Sequence, residues 1–163
     1  MGNKKIFISH STIDKEYAKE LVTLLKGIGI ENDSIFCSSL ESNTIPLGKN
    51  FISYIKEQLN NKPIALLLLS PNFYNSPMSM CELGAIWGMD IEHIIILIPP
   101  MTYYDLPVVF ANDQSMIIND GDKLNSLYYQ LANSMNLRSL HPTIWDSAKN
   151  IYIKNIRGLL RKK

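Results

Sequence analysis

Cysteines, long apolar runs and secretion signals are scarce or absent in this sequence. Cys37 and Cys81 are its only cysteines among 163 residues, which excludes a disulfide framework and favours a reducing compartment. The longest apolar stretches, residues 64–69 and 94–98, fall far short of the ~18 residues that a membrane span needs. No leading apolar segment has the length of a secretion signal. We therefore expect a cytoplasmic protein with no membrane partner.

Net charge is also small, although it is unevenly distributed. The chain has 16 basic and 15 acidic residues, but its last segment carries only basic ones: Lys149, Lys154, Arg157, Arg161, Lys162 and Lys163. Without these six, 10 basic residues face 15 acidic ones, so the main body lacks the electrostatic footprint of a nucleic-acid-binding protein. The basic end is typical of a solvated helix face, with contact to an anionic partner as the alternative.

Two common nucleotide-binding motifs and the spacing of metal ligands are missing as well. No G-x-G-x-x-G follows the first predicted strand, and no Walker A motif occurs. His10, His93 and His141 lie far apart without ligand spacing. We therefore predict no metal site and no cofactor.

What the sequence does contain is an alternation of apolar strand patterns and amphipathic helix patterns, with 46% hydrophobic residues overall. The predicted strands lie at residues 5–9, 35–37, 63–70, 94–98 and 116–118. This alternation predicts an α/β domain with a five-stranded parallel sheet in flavodoxin-like order and helices on both faces. A further helix is expected near the C-terminus. Ligands of such sheets bind beyond the carboxyl ends of the strands.

Details of two helices follow from short patterns. The S-x-x-D spacing of Ser11 and Asp14 predicts a capping box that opens the first helix, which Gly27 and Gly29 should end. A later helix is predicted over residues 78–89, where small residues, among them Gly84, would let another element pack closely.

Hydroxyl groups and an aromatic ring follow the first three predicted strands. They suit a sugar or a nucleoside, because they offer hydrogen bonds and a stacking face. The alternative is that each serine merely caps a helix, which is the commoner role of a single serine. The residues at these strand ends are Ser9, Ser11, Phe36, Ser38, Ser39 and Ser70.

Glu82 is the single charge among the twelve residues 78–89. A carboxylate among apolar neighbours must find partners, shift its pKa or face a cleft, which favours a functional site. The alternative is an acid near a helix start that points to water. Cys81 points about 100° away from Glu82 on a helix and is expected to be a buried structural thiol. Trp87 is expected in the core.

Four blocks, taken together, resemble the Toll/interleukin-1 receptor (TIR) domain, especially its bacterial branch. They are KIFISHS at residues 5–11 with Asp14, IFCSS with IPLG between 35 and 48, LLLSPNFYNSP at 67–77 and CELGA at 81–85. The resemblance covers roughly residues 4–136 and implies the five-stranded TIR fold. We accordingly divide the chain into a TIR domain, residues 1–140, and a basic C-terminal helix, 141–163. That helix either packs on the domain or leads to a further module.

The resemblance to NAD-cleaving TIR domains also implies an activity. Glu82 matches the essential glutamate, twelve residues after Ser70, and would hold the ribose while the bond to nicotinamide breaks. Phe36 matches an aromatic beside the nicotinamide, and Ser9, Ser11, Ser38 and Ser39 would lie along the pocket. Met78 stands where many members carry an aromatic, typically Trp, so base stacking is expected to be weaker.

The expected function is thus an NAD glycohydrolase, with cyclase activity left open, in bacterial antiviral defence. It would act as a signal producer or a depleter of NAD. Self-assembly through the loop at residues 38–48, the family's BB loop, would activate it, with a sensor or effector protein in trans or in a fused module. One alternative is a non-catalytic TIR scaffold that binds other TIR domains. Another is a nucleoside deoxyribosyltransferase-like enzyme, which the motifs at 35–48 make less favourable.

Overall fold

A five-stranded parallel sheet lies at the centre of the structure, a computed structural model that describes residues 4–37, 48, 50–106 and 108–162. The strand order is β2-β1-β3-β4-β5, which confirms the predicted flavodoxin-like arrangement. β3 is apolar throughout and buried throughout, as expected of a strand covered on both faces. The strands are β1 (Ile6–Ser9), β2 (Ile35–Cys37), β3 (Ile64–Leu69), β4 (His93–Leu97) and β5 (Ser115–Ile117).

Helices cover both faces of this sheet. Each face has its own hydrophobic cluster. The first cluster contains residues of α1, α5 and α6, and the second contains residues of α2, α3 and α4 together with Met101 and Phe110. The four-residue α3 was not predicted from the sequence. The helices are α1 (Lys15–Gly27), α2 (Phe51–Asn60), α3 (Pro71–Tyr74), α4 (Pro77–Gly88), α5 (Gly121–Ser134) and α6 (Pro142–Leu160).

The C-terminal helix α6 packs on α1. Trp145, Tyr152 and Ile156 are its buried residues and belong to the first cluster. The basic residues Lys154, Arg157 and Arg161 are exposed, as expected of a solvated helix face. The division of the chain at residue 140 stays a prediction.

The start of α1 differs from the predicted capping box. Ser11 makes no side-chain cap hydrogen bond, and a 3-10 turn, Thr12–Asp14, precedes α1. The carboxylate of Asp14 instead binds groups that follow β3. The predicted end of the helix is confirmed, because α1 stops at Gly27 and Gly29 adopts a φ of +97°.

Three expectations for α4 were wrong, and all concern its outward side. Cys81 is exposed rather than buried, and Trp87 is 58% exposed rather than part of the core. Gly84 is exposed, and a Cβ added to it would meet nothing within 4 Å in the part of the chain that the structure describes. Gly84 and Gly88 therefore face open space instead of a packed neighbour, whereas Ala85 packs against the second cluster.

None of the helices within the described residues is long and apolar enough to cross a lipid bilayer.

Candidate functional site

The candidate site is built on the inward side of α4, where that helix faces the carboxyl ends of β1 and β3. Ser76 caps α4 by accepting a hydrogen bond from the Ser79 backbone N–H, and Pro77 occupies its first turn. These two residues fix where the helix begins. One turn later the side chain of Glu82 points inward, and only 3% of this residue is exposed.

Ser9, the last residue of β1, binds this carboxylate directly. Its Oγ donates a hydrogen bond to Oε2 of Glu82, and Ser9 itself is fully buried. A hydroxyl donor stabilises an ionised carboxylate and fixes its orientation. Burial leaves the Ser9 hydroxyl facing protein rather than solvent. The contact places Ser9 where its hydroxyl orients the Glu82 carboxylate.

A second buried carboxylate, Asp14, lies beside the same strand ends. Ser70 Oγ donates to Asp14 Oδ2, and Asn72 Nδ2 donates to Asp14 Oδ1 at 3.0 Å. Asp14 is 1% exposed, so two side-chain donors offset the loss of its hydration. These contacts tie the turn before α1 to the start of α3. They also explain why the prediction of a capping box was wrong. The S-x-x-D spacing is typical of a helix cap, but the Asp14 carboxylate binds residues that follow β3 instead.

His10 follows β1 and contacts both β2 and α4. Its Nδ1 lies 3.6 Å from Cys37 Sγ, and its backbone carbonyl accepts a hydrogen bond from Ser79 Oγ at 3.3 Å. Burial lowers the pKa of His10 from 6.5 to about 4, although the nearby Asp14 carboxylate and a hydrogen bond to the Ile8 backbone oppose the shift. His10 is therefore neutral at physiological pH. His10 was not among the predicted site residues, because the sequence pattern was interpreted only for metal ligation at this position.

The other predicted site residues lie around this centre in different ways. Phe36 is 6% exposed and stacks on Phe7, with ring centroids 5.3 Å apart, so its ring belongs to the second cluster. Ser11 is 3% exposed, in the turn after β1. Met78 is half-buried against the second cluster. Ser38 and Ser39, and the rest of the predicted assembly loop up to residue 47, lie outside the described residues.

The donors and acceptors of this site belong to hydroxyl, amide, imidazole and carboxylate groups. No group of three or more His, Cys, Asp or Glu side chains with metal-binding geometry occurs among the residues that the structure describes. The set can hydrogen-bond the hydroxyls of a sugar, and the carboxylate of Glu82 can stabilise a positive charge that develops near it.

Fold and site together define a doubly wound α/β protein with a buried glutamate at the carboxyl end of its sheet. The TIR domain family model matches residues 6–126, which are 121 of the 163 residues. The chain therefore belongs to the TIR domain family. TIR domains commonly self-associate.

One relative is the uncharacterized protein YddK of Bacillus subtilis (strain 168). It is 37% identical over 84 residues, which are 52% of this chain and 32% of YddK. The match thus spans about a third of the length of this curated relative.

Proposed function

We propose that this TIR domain is an NAD glycohydrolase that breaks the bond between nicotinamide and ribose. The observation that carries the proposal is the carboxylate of Glu82, buried on α4 and bound by Ser9 at the carboxyl end of β1. Ligands of doubly wound sheets bind at this edge. The TIR domain family also includes members that cleave NAD.

The chemistry needs one carboxylate and no metal. The pyridinium nitrogen of NAD is already cationic, so nicotinamide leaves with the electron pair of the C1′–N bond and needs no protonation. The ribose then carries oxocarbenium character at C1′, which the negative charge of Glu82 stabilises. Water adds to C1′ and releases a proton, which gives ADP-ribose. Attack by a nucleophile on the ADP-ribose itself would give a cyclic product, and both outcomes are compatible with the proposal.

The remaining roles are parts of the same proposal. Ser9 orients the Glu82 carboxylate. His10 follows the same strand and is neutral, so it adds no positive charge beside the one that develops on the ribose. The residues proposed to line the substrate pocket are Ser9, Ser11, Phe36, Ser38, Ser39 and Met78, with NAD as substrate and no resident cofactor. We place the enzyme in the cytoplasm, in bacterial antiviral defence. Self-assembly through residues 38–48 and a sensor or effector protein are proposed to control it.

The test is chromatography with mass detection of NAD incubated with wild-type protein, with and without a crowding agent that promotes assembly. Glu82→Gln keeps the shape of the side chain and removes its charge, so we expect nicotinamide release to fall by about 10²-fold or more. Glu31→Gln is the matched control, because Glu31 is exposed before β2 and should retain full activity. Circular dichroism checks that each variant folds.

Equal nicotinamide release by wild type and Glu82→Gln would overturn the assignment of Glu82. No release by the wild type under any condition would favour a second candidate, a non-catalytic TIR scaffold. One observation supports that candidate: the outward side of α4 exposes Trp87, which is a typical contact residue of protein interfaces.

A further inference from the structure

A cavity of about 480 Å³ lies along β2, and Glu82 is not among the residues that line it. Among the described strands, β2 is the first in the sheet order and pairs only with β1. Residues of α1 from one face of the sheet and of α2 from the other line the cavity. Its volume is within the ~300–1,000 Å³ of small-molecule sites. We call it the β2 cleft, and its polar side chains used below are Lys5, Lys26, Asn32, Asp33, Tyr54 and Gln58.

Most of these polar side chains lie toward the amino ends of the strands. Lys5 directly precedes β1, and Asn32 and Asp33 belong to the 3-10 turn, Asn32–Ser34, that leads into β2. Lys26 is the last residue but one of α1, and Gln58 is two residues before the end of α2, where the chain returns toward β3. The candidate site described above lies at the carboxyl ends, so the β2 cleft is a separate place in the fold.

Two lysine side chains supply positive charge to the β2 cleft. Lys5 and Lys26 are both exposed, and neither forms an ion pair with another residue that the structure describes. Their ammonium groups are therefore available to an anionic ligand. Lysine commonly binds phosphate in proteins, where it acts as a point charge.

An acidic side chain in the same cleft indicates which kind of anion it suits. Asp33 is exposed in the turn before β2. A carboxylate repels a free phosphate, but it accepts hydrogen bonds from hydroxyl groups. In dinucleotide-binding folds an acidic residue binds the hydroxyls of a ribose in this way. The combination of Asp33 with two lysines therefore favours an anion that carries a sugar over an inorganic anion.

An aromatic ring and two amides complete the set. Tyr54 of α2 packs on Phe36, with ring centroids 5.5 Å apart, which restricts the orientation of its ring. An aromatic ring beside a cavity offers a stacking face to a nucleobase. The side-chain amides of Asn32 and Gln58 can both donate and accept hydrogen bonds at the edge of such a base.

We propose that the β2 cleft binds a mononucleotide. Lys5 and Lys26 bind its phosphate, Asp33 accepts hydrogen bonds from its ribose, and Tyr54 stacks on its base. The proposal does not depend on NAD cleavage. A nucleic-acid strand is disfavoured, because the chain outside its basic C-terminal segment has 10 basic and 15 acidic residues.

The test is isothermal titration calorimetry of the full chain with AMP, compared with adenosine and with inorganic phosphate. We expect adenosine and inorganic phosphate to bind at least about 10-fold more weakly than AMP, because each lacks part of the contacts. Lys26→Gln removes one charge from the cleft and should weaken AMP binding by about 10-fold.

Lys56→Gln is the matched control. Lys56 is an exposed lysine of α2 that does not line the cleft, so this variant makes the same change in charge and should bind AMP like the wild type. The proposal is overturned by a wild type that binds no AMP at millimolar concentration. It is equally overturned if Lys26→Gln and Lys56→Gln bind AMP with the same affinity. Inorganic phosphate that binds as strongly as AMP would also overturn it, because the cleft would then be a site for simple anions only.

Discussion

The inward side of α4 is buried and its outward side is exposed to solvent, although both sides are rich in apolar residues. Leu83 and Ile86 on the inward side are almost fully buried, and Glu82 lies with them against the strand ends. On the outward side, Trp87 and Cys81 face solvent. The polar residue is therefore inside and the large aromatic residue is outside, the reverse of the usual distribution. Leu83 and Ile86 therefore serve the fold, whereas core packing alone does not explain the positions of Glu82 and Trp87.

The largest difference between the two sides should appear in stability. Ile86→Ala removes a fully buried side chain from the second cluster, so we expect the free energy of unfolding to fall by about 2–5 kcal/mol. Trp87→Ala removes a mostly exposed side chain and should cost about 1 kcal/mol or less. Urea denaturation followed by circular dichroism at micromolar protein measures both, at a concentration that limits any contribution from self-assembly. Similar losses in both variants would mean that the outward side is packed.

The next effect concerns pH and belongs to the inward side, where Ser79 of α4 contacts His10. The pKa of His10 is lowered to about 4 in the folded state against 6.5 ordinarily, so the unfolded state takes up its proton first as pH falls. The free energy of unfolding should therefore be fully retained above pH 6.5 and decline by up to about 3 kcal/mol toward pH 4.

The measurement is urea denaturation of wild type and His10→Asn at several pH values between 7 and 4. His10→Asn removes the titrating group, so its stability should fall less steeply with acid, whatever its stability at pH 7. His141→Asn is the control, because His141 is the exposed N-cap of α6 and Asn is itself a good cap. Identical slopes for wild type and His10→Asn would show that His10 does not carry the acid sensitivity.

The fold was predictable from the sequence because its strands are covered on both faces. A continuous apolar run such as residues 64–69 has few other interpretations once helical patterns flank it, and helix ends at residues such as Gly27 carry local signals. α3 was not predicted because it is only four residues long. Its N-cap, Ser70, was instead considered as a strand-end hydroxyl.

A site residue was predictable only where its chemical type differed from that of its neighbours in the sequence. Glu82 stood out as one charge in an apolar helix, but nothing local showed that Ser9, 73 residues away, would bind it. Asp14 was misassigned for the same reason, because its partner Ser70 is 56 residues away. The outward side of α4 was also misassigned, since apolar composition indicates burial but does not distinguish a core from a surface that binds another molecule.

The smallest predicted effect tests whether the outward side of α4 is open. Gly84 lies inside a helix with open space around it, so Gly84→Ala should raise the free energy of unfolding by about 1 kcal/mol. Gly158→Ala makes the same change within α6, also in open space, and should stabilise the protein by a similar amount. Urea denaturation at micromolar protein measures both variants. A Gly84→Ala protein that is less stable than the wild type, beside a Gly158→Ala protein that is more stable, would show that the space at Gly84 is filled in solution.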